Sequence, residues 1–234
     1  DVFVLDAAAT EVDARVHLAV VAPGGAEREV TFLIYDENVE LLARKLARDR
    51  HARDAAADDE HVGRLPVERI VMQRGHASGL AWDVLPADWA QEPVYYDPER
   101  WSDGPLYRDT TVRTAFDAVG HGLDALLAKH GYVRDGRLYR AERPNHDNLI
   151  LFCHFGVECV LLAHLFSISP VPLWHYAVAL TSSVTVLSTE EREPGVAVFR
   201  MSRFGDLSHL DAAGEPASFY ARYTETYADA VPHN

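Results

Sequence analysis

The run Asn148-Leu149-Ile150-Leu151-Phe152-Cys153-His154-Phe155-Gly156-Val157-Glu158-Cys159 limits what this chain can fold into more than any other stretch. Leu149 to Cys153 is uninterrupted apolar sequence, which predicts a strand covered on both faces. Val160, Leu161, His164 and Leu165 then recur at helical spacing. A buried strand that breaks directly into a helix is the building unit of α/β sheets, and here it places His154 at the carboxyl end of the strand. Open α/β sheets bind their ligands at that edge. The first amides of the helix, those of Phe155, Gly156 and Val157, lack carbonyl partners within it, and with the helix dipole they would draw an anion to the side of the imidazole. Phosphate or carboxylate is the natural guest. The structural alternative is a core histidine satisfied by a neighbouring carbonyl.

The 234 residues are 48% hydrophobic, enough for one substantial core, so residues 1–234 are read as a single domain. A formal charge of −14 argues against a nucleic-acid or anionic-membrane surface, because phosphate backbones require a positive footprint. Any anionic ligand must therefore be held by local donors. No apolar run approaches the roughly 18 residues of a membrane span, and no basic segment followed by an apolar signal core opens the chain. Cys153 and Cys159 are too few for a disulfide framework, so a cytoplasmic setting is expected. The expected partner is a small anionic or aromatic metabolite, with a second copy of the chain, as a homodimer, a further candidate.

Along the chain, Val16 to Val21 and Val30 to Tyr35 read as strands, and Asp36-Glu37-Asn38 offers cap chemistry to a helix carrying Val39, Leu42, Ala43 and Leu46. Val67 to Met72 reads as a further strand. Residues 79–107 are crowded with aromatics and prolines, a pattern that suits either a lid closing Trp82, Trp89, Tyr95 and Tyr96 over a ligand or a packed excursion covering the sheet. Thr110 is the expected cap of an amphipathic helix with Val112, Phe116, Val119, Leu123, Leu126 and Leu127 on one line and Gly131 as its stop. Asp135-Gly136 marks a turn before the apolar strand. Val184 to Leu187 and Val196 to Met201 predict an antiparallel hairpin about the polar turn 190–195, and a terminal helix is expected over Ser218 to Asp229.

Several of these segments, taken together, resemble one family. Leu151-Phe152-Cys153-His154-Phe155-Gly156-Val157-Glu158, the helix through Leu165, the Val184 strand and Ser202-Arg203-Phe204-Gly205-Asp206-Leu207-Ser208-His209-Leu210 are similar to the histidine phosphatase superfamily, the phosphoglycerate-mutase-like fold. More narrowly, they resemble its bacterial branch of uncharacterised members. Ala81-Trp82-Asp83-Val84-Leu85-Pro86, the Leu123 to Tyr132 segment and Gly214-Glu215-Pro216-Ala217-Ser218-Phe219 extend the likeness, so that it runs from about Leu80 to Asp229. The resemblance implies a three-layer α/β domain with a mostly parallel sheet flanked by helices. It also implies that His154 is the family's second pocket histidine, which contacts the transferred phosphoryl group.

The first third departs from the family pattern. Members begin with a strand ending in Arg-His-Gly, whose histidine attacks phosphorus and carries a covalent phosphoryl group. No Arg-His-Gly occurs in this sequence, and Ala22-Pro23 stands at the nearest equivalent after a first strand. The family's second arginine aligns at best with His51, and its acidic proton donor falls near Gly75. Two functions from different classes follow. One is a repurposed small-molecule enzyme or pseudophosphatase that binds an anionic metabolite near His154. The other is an active phosphomonoesterase, a hydrolase whose nucleophile is His76 or His51. The expected site joins His154 and His76 with Phe155, Gly156, Arg74 and Glu158 around an anion. No cofactor is expected, and Cys153, His154 and Cys159 lack zinc-ligand spacing.

Overall fold

The computed structural model describes residues 77–218 and, ahead of them, the backbone of strands at 2–6, 30–34, 62–66 and 71–74; side chains are described from Gly79 to Ser218. β8 (Leu149–Cys153) is the strand that the apolar run requires, with four of its five residues buried. It pairs in parallel with β2 (Val30–Ile34), in a register that runs from Val30 opposite Leu149 to Ile34 opposite Cys153. On its other edge β2 is antiparallel to β9 (Val184–Glu193), which forms a long hairpin with β10 (Val196–Asp206). β10 then pairs with β7 (Leu138–Ala141), and β7 with β6 (Tyr132–Asp135), closing a six-stranded sheet in the order β6-β7-β10-β9-β2-β8. Two further pairs stand outside it among the described residues. β1 (Val2–Asp6) is parallel to β3 (Val62–Pro66), while β4 (Val71–Arg74) and β5 (Ala77–Leu80) form a hairpin.

The class is α/β, but the sheet is mixed, which corrects the expectation of a mostly parallel one: β2 and β8 are its one parallel pair among the described strands. Two local causes account for the difference. Asp135-Gly136 does not lead into β8; it turns β6 back on β7, with Gly136 at φ 61°, and so adds two antiparallel strands at the edge. The second hairpin is also longer than its hydrophobic core suggests. β10 continues past Met201 to Asp206 through register shifts that take up extra residues, so polar sequence remains in the ladder. The strand predicted over Val67 to Met72 is seen at Val71–Arg74. Val16 to Val21, the helix after Asn38 and the terminal helix beyond Ser218 lie outside the described residues, as do His51 and His76.

Helix α1 (Pro86–Trp89) and 3-10 turns at Pro93–Tyr96 and Trp101–Asp103 fill the aromatic segment. α2 (Val112–Lys129) buries Val112, Phe116, Val119, Leu123, Leu126 and Leu127, the stripe read from the sequence, and ends where Gly131 takes φ 86°. Thr110 lies one residue ahead of the position expected for it. Its hydroxyl accepts from the Val112 amide at 3.3 Å and donates to the Tyr107 carbonyl at 2.6 Å, tying the helix start to the aromatic segment. α3 (Phe155–Phe166) follows β8 directly and is buried at every position except His164 and Phe166, as a helix walled in by the core must be. α4 (Pro170–Tyr176) opens with Ser169 as its cap, accepting from the Val171 amide, and with Pro170 in the first turn; α5 (Ser208–Ala213) closes the described chain.

Candidate functional site

The start of α3 is assembled by the chain geometry of the β8 junction. His154 has extended backbone (φ −85°, ψ 158°), and its carbonyl accepts from the amides of both Val157 (3.0 Å) and Glu158 (2.9 Å). The histidine therefore caps the helix with its backbone, and its half-buried side chain makes no capping hydrogen bond. Of the three amides expected to face an anion, that of Val157 is taken up by this turn. Gly156 is held from behind, where the Trp174 indole N–H donates to its carbonyl at 3.1 Å. In front, the Trp82 ring lies so close that a Cβ on residue 156 would fall inside it. Trp82 also meets Phe155 edge to face, with ring centroids 6.1 Å apart. Glycine at 156 is thus a steric requirement of the tryptophan.

One turn further on, Glu158 is 0% exposed. Neither carboxyl oxygen has a full hydrogen bond, and burial raises the group from an ordinary 4.5 to about 7, with the nearby Thr185 hydroxyl easing it only in part. That hydroxyl is itself fixed by the Gly205 amide, which donates to its oxygen at 3.0 Å. Cys153 and Cys159 flank the carboxyl, and burial, then its charge, pushes both thiols well above their usual range. Neither cysteine is a nucleophile in this setting.

The described residues thus bring Trp82 to Phe155 and Gly156, next to His154 in the chain, and the Glu158 carboxyl to Cys153, Cys159 and Thr185. The β4 backbone places Arg74 opposite Ala77 in the hairpin, and the arginine side chain and His76 lie outside the described residues. Of the other rings considered for a lid, Trp89 and Tyr95 are core residues at 3% and 1% exposure. Trp89 stacks on His175 with centroids 4.5 Å apart, and Tyr95 meets Tyr107 edge to face. Tyr96 is exposed and its hydroxyl lies 3.2 Å from that of Tyr176. Trp89 and Tyr95 are thus packed into the core, while Tyr96 stands at the surface. Two contributors escaped the sequence reading: Trp174 has no signal in a Pro-Leu-Trp-His string, and Thr185 looks like an ordinary strand residue. Glu158 did leave a trace, as the one acidic residue in an otherwise apolar helix.

The far end of α3 has the opposite character. His164 Nε2 lies 2.8 Å from Asp124 Oδ2, the Tyr139 hydroxyl donates to Asp124 Oδ1 at 2.8 Å, and Arg134 Nε lies 3.4 Å from the same carboxylate. Arg134 also donates to the His164 carbonyl at 2.7 Å and covers the Tyr139 ring at 4.4 Å from its centroid. Burial works to raise Asp124, but His164, Tyr139 and Arg134 outweigh it and hold the carboxyl below its ordinary range. This network ties α2, α3, β6 and β7 together.

Set against known proteins, the chain matches no family model, no curated protein and no solved structure. Among the described residues no group of three or more histidine, cysteine, aspartate or glutamate side chains could hold a metal ion, and no helix is long and apolar enough to cross a membrane.

Proposed function

We propose that this chain binds a small anionic metabolite of the phosphate-monoester class at the start of α3, beside His154. The observation that carries the reading is the position of that histidine. It ends a buried strand, its carbonyl closes the first helical turn, and its ring stays half-buried at the positive pole of a twelve-residue helix. A protonated imidazole and a helix pole are each suited to an anion, and together they suit a dianion. Trp82, pressed on Gly156, supplies an apolar wall to the same turn. The finer fold reading, a divergent histidine phosphatase-like domain, belongs to this proposal; the parallel β2–β8 pair supports it. The missing Arg-His-Gly argues that the covalent phosphohistidine route is not used.

Calorimetric titration with inorganic phosphate, alongside incubation with p-nitrophenyl phosphate, tests the reading. Binding that weakens by about tenfold or more in His154→Ala, with little turnover in either protein, is the expected result. Failure of the wild type to bind phosphate between pH 5 and 8, or equal binding by the alanine variant, overturns it. Robust hydrolysis abolished by His154→Ala replaces it with the active phosphomonoesterase, whose attacking group would then be sought at His76 or His51.

A further inference from the structure

Glu158 is fully buried, and among the described residues no cationic side chain is paired with its carboxyl. It sits in the first turn of α3, its own amide bonded to the His154 carbonyl and its carboxyl beside Cys153, the residue that immediately precedes that histidine. Both oxygens are unpartnered apart from the near approach of Thr185. A carboxylate in the first turn of a helix is normally welcome because it answers the positive pole. At this site the same charge would compete with any anion bound to that pole.

We propose that Glu158 is a proton-operated positioning residue for anion binding at the start of α3: neutral, it leaves the helix pole to the ligand, and ionised, it cancels that pole. The inference rests on the His154 reading above and adds its regulation. The groups that face Glu158 fit the role. On α3 this is the Cys159 thiol; β8 contributes Cys153, and β9 the neutral Thr185 hydroxyl. β10, which also packs on α3, sends the Gly205 amide to Thr185, while its Arg203 and Asp206 pair with each other at 3.3 Å. On α2 and β6, Asp124 and Arg134 are engaged with His164 at the opposite end of the helix. No cation among the described residues pairs with Glu158 and holds it ionised. Its burial raises its titration to about 7, so the change falls where a cell would feel it. By linkage, an anion at the pole and a proton on the carboxyl favour each other equally.

Sulfate is the probe, because it remains a dianion across the range where the carboxyl titrates. Its affinity is measured by calorimetry from pH 5.5 to 8.5 for the wild type and Glu158→Gln. The wild type is expected to lose about tenfold more affinity over that range than the glutamine variant. Superimposable pH profiles overturn the inference and leave the His154 site standing; absence of sulfate binding at pH 5.5 removes the site itself. Infrared difference spectra of the wild type at pH 7.5 provide a readout that needs no variant to fold. Growth of a protonated, buried carboxyl band when sulfate is added is the expected result, and an unchanged band overturns the proposal.

Discussion

A carboxyl group is withdrawn from solvent at each end of α3, Glu158 completely and Asp124 in part, and the two are treated in opposite ways. Asp124 reaches the carboxy-terminal end from α2 and meets a histidine, a tyrosine hydroxyl and an arginine, so it is held ionised in spite of its burial. Glu158, at the amino-terminal end, meets two thiols and one hydroxyl among the described residues, and burial raises its carboxyl to about 7. Burial alone therefore decides nothing about charge. What decides it is whether neighbouring elements deliver donors, and among the described residues the far end of the helix receives a histidine, a tyrosine hydroxyl and an arginine while Glu158 receives no cation. The paired end reads as a structural clamp, and the unpaired end as a place where charge can change.

Asp124→Ala should have the largest effect. It leaves Arg134 and His164 without their shared carboxylate and should cost about 3–5 kcal/mol in urea unfolding. The loss has a defined pH sense. Because the folded carboxyl lies below its ordinary range, its contribution is complete at neutral pH and fades as pH falls through the acid range, so wild type and variant should converge there. A cost below 1 kcal/mol would end the contrast between the two ends.

Glu158→Gln comes next, with the sign reversed. The folded carboxyl holds its proton up to about pH 7 whereas the unfolded one releases it near 4.5, so wild-type stability falls as pH rises between those values. The glutamine variant should lose that slope and be more stable than the wild type at pH 8 by about 3 kcal/mol, while at pH 4 the two should nearly coincide. Parallel stability curves would show that Glu158 has a partner when ionised.

Tyr139→Phe sharpens the comparison within the clamp. It removes one charge-assisted hydrogen bond to Asp124 and keeps the ring under Arg134, so a cost of about 2 kcal/mol is expected, with the aspartate titrating higher by NMR. A smaller effect belongs to the start of the helix. Gly156→Ala drives a methyl group into Trp82 and should destabilise by about 1–2 kcal/mol. In a Trp82→Ala background the same change should be neutral or slightly favourable, since alanine is the better helix residue. Additive costs in that double-mutant cycle would disprove the contact.

Much of this was legible in the residues. The apolar run and its histidine located β8, the junction and α3, because an unbroken hydrophobic strand has few other places to go. The stripe of α2 was equally plain. The sheet's direction was not legible, since Tyr-Val-Arg-Asp and Leu-Tyr-Arg-Ala alternate too briefly to announce a hairpin, and pairing partners are set by tertiary contacts. The aromatic segment permitted a lid or a cover because composition says nothing about burial; the edge-to-face contacts of Trp101 with Tyr107, Phe116 and Trp174 show how its rings knit into the core. At the site, Glu158 was visible as a residue but not as one whose titration is raised to about 7. Its raised titration comes from its burial in the packed fold, which the residue type alone does not display.

Because neighbours wall in almost every face of α3, its backbone amides should be among the slowest in the molecule to exchange with deuterium, opening only when the whole domain opens. The electric field emerging past His154 then has a fixed direction. A visiting anion must come to the helix, since the helix has no freedom to turn toward it.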